Sequence, residues 1–301
     1  MINRTFLYPK TNASKQLKIA CVTMQCDLEP ERNCERMVAL IADVIKKYPD
    51  VELILFGEAI LGWYARRSGT KAYQKSIAET IPGNITRMMS TLAEENSVFI
   101  SFGMTESYRG DIYNTQVLIS PEGKIVAAHR KYHLMESAEI FKPGSLPVTI
   151  VEINGIRTGI IVCSDIQSTD VRKALKTQKV ELILGGLASP SDPNFFISGM
   201  IAKMFDAWVV TANRYGDEEG YHYDGNMVIG NPLGYLHSTA VGKEQYLYED
   251  LFFVLDEPAL KIVLRRTYVW LSFIPYLAGK LVVMLRQKLL NMIHRPSNNL
   301  I

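Results

Sequence analysis

Short apolar runs alternate with amphipathic segments along this chain, and that difference decides each element. Residues 17–24 (LKIACVTM) form an apolar run of strand length. Residues 31–48 place Met37, Leu40, Ile41, Val44, Ile45 and Tyr48 at the three-and-four spacing of one helix face. A second strand is predicted over 51–56, a second helix over 85–96 and a third strand over 98–102. This β-α-β-α order predicts a layered α/β domain.

The pattern then changes. Strand-like runs at 112–120, 124–129, 148–153 and 157–163 succeed one another without long helices between them. Pro121-Glu122-Gly123-Lys124 is a tight-turn sequence and predicts a hairpin. Asn154-Gly155 predicts a second, just before the strand that ends at Cys163. A helix at 170–177, a strand at 181–185 and a helix at 195–206 follow. Further strands are predicted over 208–213, 226–229 and 235–238, with Asn231-Pro232-Leu233-Gly234 turning the last pair. Neither an internal repeat nor a linker is visible before about residue 258.

The last forty residues read differently. Residues 268–285 (YVWLSFIPYLAGKLVVML) are nearly long enough to cross a bilayer, but Pro275, Gly279 and Lys280 interrupt them. Arg265 and Arg266 precede the stretch, and Arg286, Lys288, His294 and Arg295 follow it. Such flanks suit an interfacial helix held by apolar burial and anionic lipid. An arm packed on its own domain or on a second subunit fits the same pattern. The organisation expected is therefore a flexible extension at 1–16, a domain at 17–258 and a C-terminal arm at 259–301. The arm would be a membrane-interfacial or dimer-packing helix.

Composition narrows the classes. The chain has 301 residues, 48% hydrophobic and 21% charged, which is ordinary for a globular protein with a sizeable core. A net charge of +2 gives no electrostatic case for nucleic acid. Residues 1–16 are polar and lack an apolar signal core. The four cysteines, Cys21, Cys26, Cys34 and Cys163, contain no CxxC pair. Reduced thiols in a cytoplasmic protein, with membrane association through the arm as the alternative, are the expectation.

The candidate chemistry begins at Cys163, where the apolar run 159–162 stops abruptly. A thiol delivered by a strand end suits covalent catalysis if a base and a cation stand nearby. Glu58 follows the strand Leu53-Ile54-Leu55-Phe56-Gly57, and Lys131 follows the strand beginning at Lys124. Taken singly, each has an ordinary reading: a small core residue, a solvated strand terminus and a surface charge. Only their joint occurrence favours a site, and convergence of the three strand ends is what the structure must test.

The ordered segments Phe56-Gly57-Glu58, Arg130-Lys131-Tyr132-His133-Leu134 and Cys163-Ser164-Asp165 resemble the signatures of the nitrilase (carbon–nitrogen hydrolase) superfamily, in its amidase and carbamoylase-like branch. Flanking stretches agree: Tyr113-Asn114-Thr115, residues 120–124, residues 212–216, and Gly225-Asn226-Met227 through Pro232-Leu233-Gly234. The resemblance spans roughly residues 17–256. It implies a four-layer α-β-β-α sandwich that pairs as a homodimer or higher homo-oligomer. It also implies hydrolysis of an amide or carbamoyl C–N bond of a small molecule through a Cys thioester, with no metal or organic cofactor. Glu58 would be the general base, Lys131 would hold the oxyanion, and a backbone N–H at Ser164 would assist. Glu139, with Glu136 as competitor, would orient Lys131 and the substrate amine. His133 as a Cys–His partner is disfavoured, because the resemblance gives that role to a Glu. Tyr64, Trp63, Arg66 and Phe195 lie near the motifs and could line the pocket.

The chain also departs from the pattern. Gly57 stands where Pro is frequent, which would leave the backbone before Glu58 freer. Residues 166–170 lack the common Phe-Pro-Glu, and Met204-Phe205 replace a usual Glu-Asn pair, so the substrate is expected to be unusual. Asp165, where nitrilases proper often carry Glu, argues for amides over nitriles. Two rival functions remain: acyl transfer to an amine at a membrane by the same three residues, and a non-catalytic scaffold.

Overall fold

In the computed structural model, the described residues are 13–135, 140–189, 198, 201–202, 204–234, 236–238 and 245–254. The predicted arm at 259–301 lies outside them, as do Glu136, Glu139, Phe195 and half of the helix expected over 195–206.

The strands are β1 (Ala13–Thr23), β2 (Leu53–Phe56), β3 (Phe99–Tyr108), β4 (Asp111–Ile119), β5 (Ile125–Arg130), β6 (Thr149–Ile153) and β7 (Ile156–Val162). They continue with β8 (Leu182–Leu187), β9 (Trp208–Asn213), β10 (Tyr215–Glu218), β11 (Tyr221–Asp224), β12 (Val228–Gly230), β13 (Leu236–Ser238) and β14 (Gln245–Val254). The helices are α1 (Pro30–Lys47), α2 (Thr70–Ile77), α3 (Asn84–Asn96) and α4 (Thr169–Thr177). One six-stranded sheet runs β14-β1-β2-β3-β4-β5 and the other β13-β12-β9-β8-β7-β6, with β10-β11 as a separate hairpin. Each sheet has three parallel strands at its centre, β1-β2-β3 and β7-β8-β9, and antiparallel flanks.

The period of two fixes the layers. In β1, Ile19 and Cys21 join the inner core, while Ala20 and Val22 face the outer core with Met37, Ile41 and Val44 of α1. Leu53 and Leu55 of β2 point inward beside Leu182 and Leu184 of β8, and Ile54 and Phe56 point outward. On the far side Ile161, Ile183 and Val209 pack with Val171 and Leu175 of α4. Alternate residues of one strand thus serve two cores, which produces the expected α-β-β-α order.

All three predicted turns form, the first closed by the Gly123 N–H donating to Ser120 O at 2.9 Å. Asn154 and Gly155 take φ of 50° and 74°, the paired left-handed conformation of a two-residue hairpin turn. The Gly234 N–H donates to Asn231 O at 2.8 Å in the turn before β13. Four elements were absent from the sequence reading. The described part of α2 buries only Gln74, so it shows no apolar stripe. The strands β10 and β11 are short and rich in charge. The strand β14 carries Glu249 and Asp250 at its middle, and its pairing with β1 over the full length of both is a tertiary fact.

Candidate active site

Glu58, Lys131 and Cys163 each follow the carboxyl end of a strand: β2, β5 and β7. The two sheets are tied at this edge, where the Glu58 N–H donates to Leu187 O at the end of β8 (3.2 Å). Lys131 Nζ donates to Glu58 Oε1 at 2.8 Å, and both side chains are buried. A buried ion pair of this kind is costly to desolvate and marks a candidate functional site. Asn114 Nδ2 also donates to Glu58 Oε1, at 2.7 Å. The Tyr64 hydroxyl accepts from Lys131 Nζ at 3.4 Å, and Tyr64 tilts against Phe141 with ring centroids 6.3 Å apart.

Cys163 begins a short 3-10 turn, Cys163–Gln167, with φ of 43°. A side chain in the left-handed region is strained, and the residue that carries the thiol is mostly buried. Burial pushes the Cys163 thiol up to about 12. The Glu58 carboxylate adds to the rise by charge and by a side-chain hydrogen bond, while Lys131 and the Ala188 N–H oppose it. The resting sulfur is therefore a thiol with a carboxylate, an ammonium and a backbone donor acting on it.

The backbone explains why these groups meet. Arg214, just after β9, is fully buried. Its guanidinium donates to Glu58 O (3.1 Å), Ala59 O (2.5 Å) and Gly62 O (2.6 Å), and pairs with Glu218. Gly103 allows the same loop to approach: a Cβ there would lie 2.7 Å from Gly57 O and 2.8 Å from Glu58 C. Gly57 does not loosen this segment. Its carbonyl accepts from the Gly103 N–H at 3.0 Å, and a Cβ on it would meet Leu187 O and Asn213 C at 3.1 Å. The freedom expected of glycine is removed by packing on both sides.

Lys131 is clamped at both ends of its peptide, its N–H on Asn114 O and its O under the Gly144 N–H, each 2.8 Å. Arg130, just before it, forks onto Glu106 and lies over the rings of Tyr108 and Tyr113 at 4.3 and 4.1 Å. Asp165, fully buried, joins the lysine and cysteine segments. Its Oδ1 accepts from the N–H groups of Tyr132 (2.9 Å) and His133 (2.8 Å), and its Oδ2 from the Val162 N–H (2.8 Å) and His129 Nε2 (2.9 Å). Its side chain is spent on this staple, so a preference for amides over nitriles gains no support from it. Ser164 Oγ donates to His133 O at 2.6 Å, across the same junction.

Of the expected lining residues, Tyr64 reaches the lysine. Trp63 packs against the outer core and donates to Cys26 O (3.1 Å), and Arg66 pairs with Glu219 (3.3 Å). Phe195 and Glu139 lie outside the described residues. The sequence reading missed Asp165 as a staple, Gly103 as a gap and the Ala188 N–H. The Ala188 segment is pinned by Asn213, whose Oδ1 accepts from the Ser189 N–H at 3.0 Å. Among the described residues no cluster of three His, Cys, Asp or Glu side chains could hold a metal.

A family model described as carbon-nitrogen hydrolase matches residues 18–251. The chain belongs to the carbon–nitrogen hydrolase family. A nitrilase of Pyrococcus abyssi (strain GE5 / Orsay) is 26% identical over 235 residues, covering 76% of this chain and 87% of that protein. The omega-amidase of Bos taurus is 25% identical over 250 residues, covering 78% of this chain and 88% of its own. The crystal structure of Saccharomyces cerevisiae Nit3, a member of branch 10 of the nitrilase superfamily, superposes with a TM-score of 0.72. It shares 18% identity and covers 85% of this chain and 95% of that one, which establishes the common fold. Among the described residues of this carbon–nitrogen hydrolase, no helix is long and apolar enough to cross a membrane.

Proposed function

We propose that this hydrolase cleaves the C–N bond of a small amide or carbamoyl compound through a thioester on Cys163. The observation that carries the reading is the buried Lys131–Glu58 contact at 2.8 Å, with both charges acting on the Cys163 thiol. A thiol so far from ionising needs its proton removed as the bond forms, which is general-base catalysis by Glu58.

The steps balance as follows. The Cys163 proton moves to Glu58 while the sulfur bonds to the acyl carbon, and the carbonyl π pair becomes an oxyanion. Lys131 and the Ala188 N–H supply the positive field that holds it. The C–N bond then breaks, and the nitrogen leaves with the proton from Glu58. Water gives a proton to Glu58 and attacks the thioester, the C–S bond breaks, and the sulfur regains its proton. Tyr64 forms a wall beside Lys131 and restricts the acyl group there.

The test is an ammonia-release screen over amides, ureido acids and nitriles, with Cys163→Ala alongside. Amides or ureido acids should release ammonia, and wild type trapped in turnover should gain the acyl mass on Cys163. Turnover that persists in the alanine variant would overturn the mechanism.

A further inference from the structure

We infer that Asn114 selects which oxygen of Glu58 takes the proton. This rests on the reading above, in which Glu58 is the base. Asn114 lies in β4 and is 1% exposed. Its Nδ2 donates to Glu58 Oε1 at 2.7 Å, and Lys131 Nζ donates to that same oxygen at 2.8 Å. Oε1 thus carries two donors, one of them charged. Glu58 Oε2 is buried and accepts from no N–H or O–H group among the described residues. A carboxylate oxygen with two donors has its in-plane lone pairs occupied and is the weaker base. Oε2 is left as the oxygen that can receive the Cys163 proton and return it to the leaving nitrogen.

The arrangement also couples the base to the ammonium. The main-chain O of Asn114 accepts from the Lys131 N–H at 2.8 Å, so one residue sets the lysine backbone and the glutamate side chain together. The amide can take only one orientation. Reversed, it would press Oδ1 against the carboxylate. Asn114 touches no reacting atom in this scheme and is a positioning residue.

Other groups bear on Glu58 as well. Lys131 and Cys163 act on it directly, the Tyr64 hydroxyl through Lys131, and Tyr223 by charge, while Arg214 holds its carbonyl. None of these groups is removed by altering the Asn114 side chain, so a shift in the base is assigned to the lost donor.

The experiment follows alkylation of Cys163 by iodoacetamide against pH, read by intact mass, together with kcat/KM for the best amide. Removing a hydrogen bond to the ionised carboxylate favours its protonated form. In Asn114→Ala the acid limb of both profiles should therefore move up by about one pH unit. The kcat should fall about 10- to 100-fold with KM nearly unchanged, the size expected when a base is mispositioned. Asn114→Asp keeps the shape and adds a negative charge, so its limb should move the same way; it covers the case of an alanine variant that fails to fold. A limb that stays at the wild-type pH in a folded variant overturns the inference. Its outcome is separable from that of the hydrolase reading: the alkylation limb requires no substrate, whereas that reading fails if Cys163→Ala still turns amides over.

Discussion

Asp165→Asn is the sharpest probe of how the site is held. The carboxylate accepts four donors, three of them backbone N–H groups drawn from both the lysine and the cysteine segments. Suppose the amide oxygen takes the Oδ1 position. Tyr132 and His133 keep a neutral acceptor, and each charge-assisted bond loses about 1 kcal/mol. The new NH2 then faces the Val162 N–H, which is left buried without an acceptor at a cost of about 1–3 kcal/mol. His129 can adapt, because its ring can switch tautomer and donate from Nδ1 to Thr149 Oγ1, 3.0 Å away. Relief of burying a charge offsets part of the loss. The net cost should be about 3–4 kcal/mol, a fall in Tm of about 6–16 °C for a domain of this size. Tyr132 and His133 immediately follow Lys131, so the ammonium should shift and kcat/KM should drop about 100-fold. Thermal unfolding and steady-state kinetics read both. A variant within 2 °C and twofold of wild type, as about the resolution of such assays, would refute the staple.

Three further outcomes follow. Gly103→Ala should cost about 1–3 kcal/mol by overpacking and should lower activity more than stability, because the crowded atoms belong to Gly57, Glu58 and Ala59; wild-type rates in a chemical-denaturation-matched sample would contradict the packing argument. With its thiol raised to about 12, Cys163 should show no thiolate absorbance near 240 nm until well above pH 9, judged against Cys163→Ala. The raised value means that the folded state gains from keeping the proton. That gain is complete below the ordinary thiol value near 9 and is lost as pH climbs toward 12, so the variant should lose less stability over this alkaline window. Finally, a chain ending near residue 262 should lose binding to anionic vesicles, since the apolar stretch and its arginines lie beyond that point. Equal sedimentation of the long and short chains would end the lipid-contact idea.

What the sequence determined by itself is local and periodic. Short apolar runs placed eleven of the fourteen strands found among the described residues to within a few residues. The helix stripes of α1, α3 and α4 and the Asn-Gly turn are likewise written in neighbouring residues. The segments bearing Glu58, Lys131 and Cys163 could be picked out because strands that stop at a polar or reactive side chain are visible in one dimension. Distances across the sandwich decided the rest. Asp165 looked like one more acidic residue after a cysteine until four donors converged on it. Gly57 looked loose until the Gly103 backbone and Leu187 closed on it. Asn114 Nδ2, from one strand, meets Glu58 Oε1 from another two positions away in the same sheet. Hydrogen bonding and exclusion of a Cβ depend on separations of about 3 Å between residues far apart in the chain, and periodicity carries no information at that range.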